Sequence, residues 1–472
     1  MMILILFMYV FAFNFGNFMT SLVNSTNMVG LALLAKYVFD KNYRKIMNDI
    51  AKTKRVIYTL ASTVAIIVFN VLLITIHKTG DYTIVPTLIN LLGKIVIGVL
   101  IYGLYLRQRE VDLSKNVDTS INIISDLTLA FTLQSALQFV SLLVPQVGSI
   151  LNFFRNANVV ERAQEIYGGV RGLSVSSSGF FGIAIAYAFI VMLMIIYRRD
   201  LVDNCPIMFK SNAAYYLIFW FNLCFAILAG RVALAGLVFG LTYIVFERIF
   251  LWRRYPELKL RKLNKTSSHE WLILASFSIF FIAFLFLGFV LIKNHKRPIG
   301  LPYYLEVIHR IFRYVFSPIF NRIHFSKTVV VDGKQVLDDS NIFTSVDTLS
   351  KMYFPLSKWD YIVGVGRYTA ENGGYYRNTD SGFMRNLLLS GVGNVILMFT
   401  SQLFFFNWKK KELLFQNLAI LAFLSILHVK GEVLGFAQLI QSMMILLLLN
   451  SLRVAVKENS EKQTRKEMEV KL

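Results

Sequence analysis

Charge is scarce in this chain, and acid is scarcer still. Only 16% of its 472 residues are charged, and 28 acidic residues face 49 basic ones. A soluble domain would carry about a quarter charged residues, so a water-soluble globular protein is excluded. Cysteine is almost absent. Cys205 lies in a short polar loop and Cys224 inside an apolar run, a pair that supports neither a disulfide framework nor a cysteine-based metal cluster. Neither a metal nor a cofactor is expected. There is no internal repeat, and no low-complexity stretch beyond the Lys/Glu-rich tail.

What the chain has instead is apolar length. Hydrophobic residues make up 56% of it and the mean hydropathy is +0.56. They come in runs of roughly 17 to 24, the length that crosses ~30 Å of hydrocarbon. The runs predict about twelve transmembrane helices, near 3–22, 24–39, 56–76, 83–106, 121–144, 177–197, 213–229, 232–250, 271–292, 386–406, 412–428 and 434–452. The expected fold class is therefore an all-α integral membrane protein. The first run has no basic segment before it and no small-residue cleavage site, so it reads as a retained helix.

The net charge of +21 would suggest nucleic acid in a soluble protein. Here it collects in loops. Segments 40–55, 107–115, 197–200, 252–265, 408–411 and the tail after Arg453 alternate with the apolar runs. Placing all of them inside satisfies the positive-inside rule and puts both termini in the cytoplasm. No RNA-binding motif or zinc spacing supports a nucleic-acid partner; the expected partner surface is the lipid bilayer. The chain then divides into a bundle of nine spans (1–292), a large external loop (293–385), three further spans (386–452) and a cytoplasmic tail (453–472). Within the large loop, apolar residues from Ile308 to Ile323 recur at helical spacing. They suit an amphipathic helix lying in the headgroup layer or packed on the bundle. TVVVDGKQV (328–336) reads as a hairpin turning at Asp332-Gly333. Lys94 and Asp126, both within spans, are expected to pair and hold two helices together.

Three polar constellations lie on the external side. In YGGVRGLSVSSSGF (167–180), glycines let backbone approach a ligand, and Arg171 is a fork-shaped donor suited to phosphate. The alternative is a flexible loop with an interfacial Arg. In ILAGRVALAGLVFG (227–240), Arg231 stands between two nearly fused spans with small neighbours, open to an anionic ligand or snorkelling to the surface. In GVGRYTAENGGYYRNTDSGFMRNLLLSGVGN (364–394), Arg367, Arg377 and Arg385 crowd one segment. Tyr368, Tyr375 and Tyr376 supply rings of the kind that stack on sugars. Asp380 opens the tenth span, as a helix cap or as a functional carboxylate. Cationic sites converging on one face fit a ligand bearing a pyrophosphate at the membrane surface.

The order RGLSVSSSGF, AGRVALAGL, a long external loop, then TDSGFMRNLLLSGVGN resembles the bacterial oligosaccharide repeat-unit polymerases (Wzy-type O-antigen polymerases), relatives of the O-antigen ligases. The resemblance covers the span architecture and roughly residues 165–400. It implies a C-type glycosyltransferase-like bundle, a polyprenyl-diphosphate-linked oligosaccharide as substrate, no metal, and room for a chain-length regulator as a further partner. By position it makes Arg171 and Arg231 the pyrophosphate ligands and Asp380 the acceptor-side catalytic group. Arg367, Arg377, Arg385, Tyr375 and Tyr376 are then expected to bind substrate. Ligases commonly carry His where this chain has Asp380, which favours a polymerase. A flippase or transporter of lipid-linked saccharides is the main rival, and it would show charged cavity-lining residues and repeats. A ligase and a non-enzymatic scaffold are the other two.

Overall fold

The structure is a computed structural model. It describes residues 1–15, 24–114, 123–155, 160–161, 174–176, 179–198, 201, 212–230, 232–246, 249, 328–331, 334–337, 352–371, 373–408, 411–434, 437 and 439–449.

Long apolar runs leave the backbone no hydrogen-bond partners but its own, and the result is helix. In chain order the helices are α1 (Met2–Phe11), α2 (Ser25–Phe39), α3 (Lys41–Ala51), α4 (Lys54–Ile76), α5 (Val85–Ser114), α6 (Ile123–Leu143), α7 (Pro145–Phe153), α8 (Phe180–Ile196), α9 (Asn212–Ala229) and α10 (Ala233–Phe246). The hairpin β1 (Thr328–Val331) and β2 (Lys334–Leu337) follows. Then come α11 (Lys358–Val363), α12 (Gly382–Leu403), α13 (Lys411–Lys430) and α14 (Leu439–Leu449). Apart from the hairpin, the described architecture is all-helical.

Five of these helices, α4, α5, α6, α12 and α13, are long and apolar enough to cross a membrane, and the chain is a multi-pass membrane protein. The 23 residues of α4 reach about 35 Å at ~1.5 Å per residue, more than a hydrocarbon core needs. Five shorter apolar helices accompany them among the described residues: α1, α8, α9, α10 and α14. The expected span at 3–22 is not met. Its helix stops after ten residues at Phe11, closed by Ala12 in the left-handed conformation (φ 46°), and it measures only about 15 Å. The expected span at 271–292 and the amphipathic stretch at 308–323 lie outside the described residues.

Packing sorts the helices by what they face. Every residue of α8 from Ile183 to Met194 is buried, so α8 is the central post. α10 lies along it at close approach: a Cβ added at Gly236 would fall 1.9 Å from the carbonyl oxygen of Ala188, and one at Gly240 would fall 2.6 Å from Ile195. Small residues four apart are what lets two membrane helices touch backbone to backbone. α4, by contrast, has only 28% of its apolar window buried inside the protein.

Two expectations are corrected here. Lys94 does not pair with Asp126: its Nζ donates to Ser442 Oγ at 2.9 Å, and Asp126 accepts the Tyr105 hydroxyl at 2.6 Å. Segment 40–55 is not a plain basic loop either. It folds as α3, capped by Asp40, whose carboxylate accepts the N–H groups of Asn42 and Tyr43, with Tyr43, Met47 and Ile50 buried.

The hairpin has the expected register. Val331 sits opposite Lys334; the expected turn residues Asp332 and Gly333 lie outside the described residues.

Candidate functional site

The site is built where α12 begins. Ser381 caps that helix, its hydroxyl accepting the Met384 N–H at 3.3 Å. Arg385 follows in the first turn and is almost fully buried. The helix runs only to Leu389 before it breaks. Ser390 (φ −147°) and Gly391 (φ 67°, ψ −166°) leave helical geometry, and the helix then resumes to Leu403. The break frees two carbonyls, and the segment after α11 uses them: Val365 N–H donates to Leu388 O at 2.7 Å and Gly366 N–H to Leu389 O at 3.1 Å. The residue at 391 has to be glycine. Its φ is left-handed, and a Cβ there would lie 2.2 Å from the Ile362 carbonyl oxygen.

The turn between α4 and α5 fastens the same segment. Asp81 Oδ2 accepts the N–H groups of Tyr368 and Thr369 at 2.6 and 2.7 Å. Its Oδ1 accepts the hydroxyls of Thr369 and Thr83 at 2.9 and 2.5 Å. Burial raises the Asp81 pKa, but these bonds favour the charged form more strongly and hold the carboxyl below its usual range. Thr79 Oγ1 donates to Gly366 O at 2.5 Å, and His77 Nε2 lies 3.2 Å from Val363 O.

A third connection, between α13 and α14, completes the block. The Tyr368 hydroxyl donates to Glu432 Oε2, and Arg385 Nη1 reaches the same oxygen at 3.0 Å. The guanidinium of Arg385 is stacked on both faces, 4.2 Å from the centroid of Tyr368 and 3.5 Å from that of Tyr375. Burial pushes the Glu432 carboxyl above its usual range, against the pull of Arg385 and the Tyr368 hydroxyl. Burial, and then the Glu432 charge, push the Tyr368 phenol up as well. Beside them, His428 Nδ1 accepts the N–H groups of Val433 and Leu434 at 3.0 and 3.2 Å. Two donors at Nδ1 leave the ring proton on Nε2, 3.0 Å from the Asn386 amide, so the amide oxygen is the group that belongs there.

The three arginines of the 364–394 segment therefore separate. Arg385 is buried between two rings. Arg367 and Arg377 flank Tyr376 from the surface, at 5.9 and 6.0 Å from its ring, and Arg377 also lies over Phe354 at 5.1 Å. Arg367 pairs loosely with the exposed Glu371 at 3.9 Å, a contact of small energetic weight. Asp380 is exposed and is not the cap of α12, which is Ser381.

Arg171 and Arg231 lie outside the described residues, but their neighbours are placed. Ser174, Val175 and Ser176 are buried, and Val175 N–H donates to Gln134 Oε1 at 3.3 Å. The start of α8 adjoins the Glu432 turn, because a Cβ at Gly431 would meet the Phe181 ring. α10 and α13 run antiparallel, with Phe239 on Phe423 and Phe246 on Phe415.

Sequence reasoning missed Glu432 and Asp81. Each is a lone carboxylate in a short connection between two apolar helices, and the cost of placing charge there is the signal that could have found them. Among the described residues no group of three or more His, Cys, Asp or Glu side chains could hold a metal ion.

No family model matches the chain, and neither a curated protein nor a solved structure does.

Proposed function

We propose that this chain is a glycosyltransferase that joins lipid-diphosphate-linked oligosaccharide repeat units into a surface polysaccharide, working at the external face of a bacterial inner membrane with both its termini in the cytoplasm. The observation that carries the reading is the block around Arg385. Three connections that the basic segments put on one side of the bilayer, 77–84, 352–381 and 431–434, meet there in hydrogen-bonded contact. They assemble a cation between tyrosine rings, beside a carboxylate, at one end of an apolar bundle. Aromatic faces, a guanidinium and a carboxylate are the groups that hold a saccharide.

In this reading Arg171 and Arg231 neutralise the charge that develops on the departing diphosphate, the electrostatic contribution that usually weighs most in such catalysis. Tyr375, Tyr376, Arg367 and Arg377 line the approach of the sugar chain, and Asp380 stands at its rim. A chain-length regulator would dock outside this block.

The test is a gel of surface polysaccharide from cells lacking the gene. Single repeat units in place of a ladder support the polymerase. Loss of all surface attachment points to the ligase, and loss of every unit from the outer face to the flippase.

A further inference from the structure

The two oxygens of Glu432 have different fates. Oε2 accepts from both Tyr368 and Arg385. Oε1 is shut from solvent and has no hydrogen-bond partner among the described residues. Arg385 is just as incomplete: Nη1 serves Glu432, while Nε and Nη2 are buried without a partner among the described residues. A buried acceptor and two buried donors left open cost roughly 1–3 kcal/mol each, and so many in one ion pair call for an occupant. That occupant must donate a proton to Oε1 and offer lone pairs to the guanidinium. A fully ionised phosphate has no proton to give and would be repelled by the carboxylate. A sugar bearing a free hydroxyl beside a second oxygen satisfies both sides at once, and the exposed Tyr375 ring supplies its flat apolar contact.

We propose that Glu432 is the base that takes the proton from the attacking hydroxyl of the acceptor saccharide, with Arg385 holding that sugar and Tyr368 orienting the carboxylate. The inference rests on the glycosyl-transfer reading and deepens it. The acceptor O–H bond breaks, its proton goes to Glu432 Oε1, and the freed pair forms the new bond to the donor's anomeric carbon. The bond from that carbon to the lipid diphosphate breaks, and its electron pair leaves with the diphosphate. The acceptor comes in past Tyr375. That ring is 44% exposed and rides on a short turn in which Gly373, Arg377 and Asn378 all have left-handed φ. The raised pKa of Glu432 suits the role, because a base works best when its pKa approaches the working pH.

Two substitutions separate a base from a brace. Glu432→Gln keeps an oxygen for Tyr368 and Arg385 but cannot take a proton. Tyr368→Phe removes a donor that favours the charged carboxylate. Among the described residues the other charged and titratable groups around the site are Arg385 from α12, His428 and Lys430 from the end of α13, Tyr375, and Asp81, which binds the Tyr368 backbone; both variants leave them in place. The assay is elongation of purified lipid-linked repeat units by reconstituted full-length protein across a pH series, with protein amounts matched.

The parent rate should rise as pH climbs through the Glu432 pKa. Glu432→Gln should lose roughly 10²–10⁴ in rate and that rise with it. Tyr368→Phe should move the rise to higher pH, whereas loss of structure alone would lower the rate at every pH and leave the rise where it was. An active parent with Glu432→Gln at the parental rate, or with an unmoved rise in Tyr368→Phe, overturns Glu432 as the base and leaves glycosyl transfer standing. A parent that elongates nothing overturns both.

Discussion

Asp81 accepts the backbone N–H of Tyr368 at 2.6 Å, and the hydroxyl of that same tyrosine is bound by Glu432. One residue thus ties the α4–α5 turn to the α13–α14 turn, and Asp81 is the anchor. Asp81→Ala should free the segment from 364 to 378. Amide exchange at Tyr368 and Thr369 should quicken by at least tenfold, about 1.4 kcal/mol of local opening, with α8 unchanged. The pH dependence follows from the sign of the shift. The folded pKa of Asp81 lies below its usual value, so its contribution is complete above the unfolded value of ~3.9. It is lost as the pH falls on through the folded value. Protection of the two amides should therefore hold at neutral pH and fall in acid. Protection in Asp81→Ala equal to the parent's would show that the segment is held elsewhere.

The helix break supplies a second, paired test. Gly391 and Gly80 have nearly the same φ, +67° and +68°, but an added Cβ meets backbone atoms at 391 and open space at 80. Gly80→Ala should cost only the left-handed penalty, about 1–2 kcal/mol. Gly391→Ala adds a collision with the Ile362 carbonyl that no side-chain rotation relieves, and its loss should exceed that of Gly80→Ala by several kcal/mol. Thermal unfolding of both variants in detergent compares them directly; equal melting temperatures would mean that α11 is not packed into the break.

Much of the bundle could be read from hydrophobic length. The apolar runs at 56–76 and 213–229 match α4 and α9 within two residues, because a segment that must satisfy its backbone in lipid has no other fold available. The pairing of Thr328–Val331 with Lys334–Leu337 was readable for a similarly local reason. Relationships between helices were not readable. The supposed Lys94–Asp126 pair failed because spacing along one helix says nothing about its rotation against another. α3 did carry a signal: Tyr43, Met47 and Ile50 recur at helical spacing among basic residues, yet charge made the segment look like a loop. Within the site, the Tyr/Arg-rich stretch was legible by composition. Its carboxylate was not, because Glu432 comes from a connection distant in sequence that only folding brings to Arg385.

The two arginines outside the described residues carry the diphosphate half of the proposed chemistry. Arg171→Ala and Arg231→Ala should each abolish polymer while the protein still inserts. Arg→Lys should be severely impaired at both positions, since an ammonium cannot reproduce a two-pronged contact with phosphate. Surface-polysaccharide gels read the outcome alongside immunoblots of the membrane fraction. Normal chain length in both Ala variants would return these residues to anchoring at the interface.

Asp380 is the position where sequence and geometry part most sharply. The resemblance makes it the acceptor-side carboxylate, and its place before α12 makes it a candidate cap. The cap is Ser381, which accepts the Met384 N–H, and Asp380 itself is exposed. Ser381→Ala should therefore lower stability by about 1 kcal/mol, the usual cost of losing a cap, through a helix start that also positions Arg385. Asp380→Asn should leave both stability and elongation rate close to the parent's, because Glu432 takes the proton. The comparison to make is Asp380→Asn against Glu432→Gln in one elongation assay, since each change removes a charge and keeps the side chain's shape. If Asp380→Asn is the variant that loses roughly 10²–10⁴ in rate while Glu432→Gln keeps it, the base is the exposed carboxylate, and the Arg385–Glu432 pair serves only to hold α12 against the end of α13.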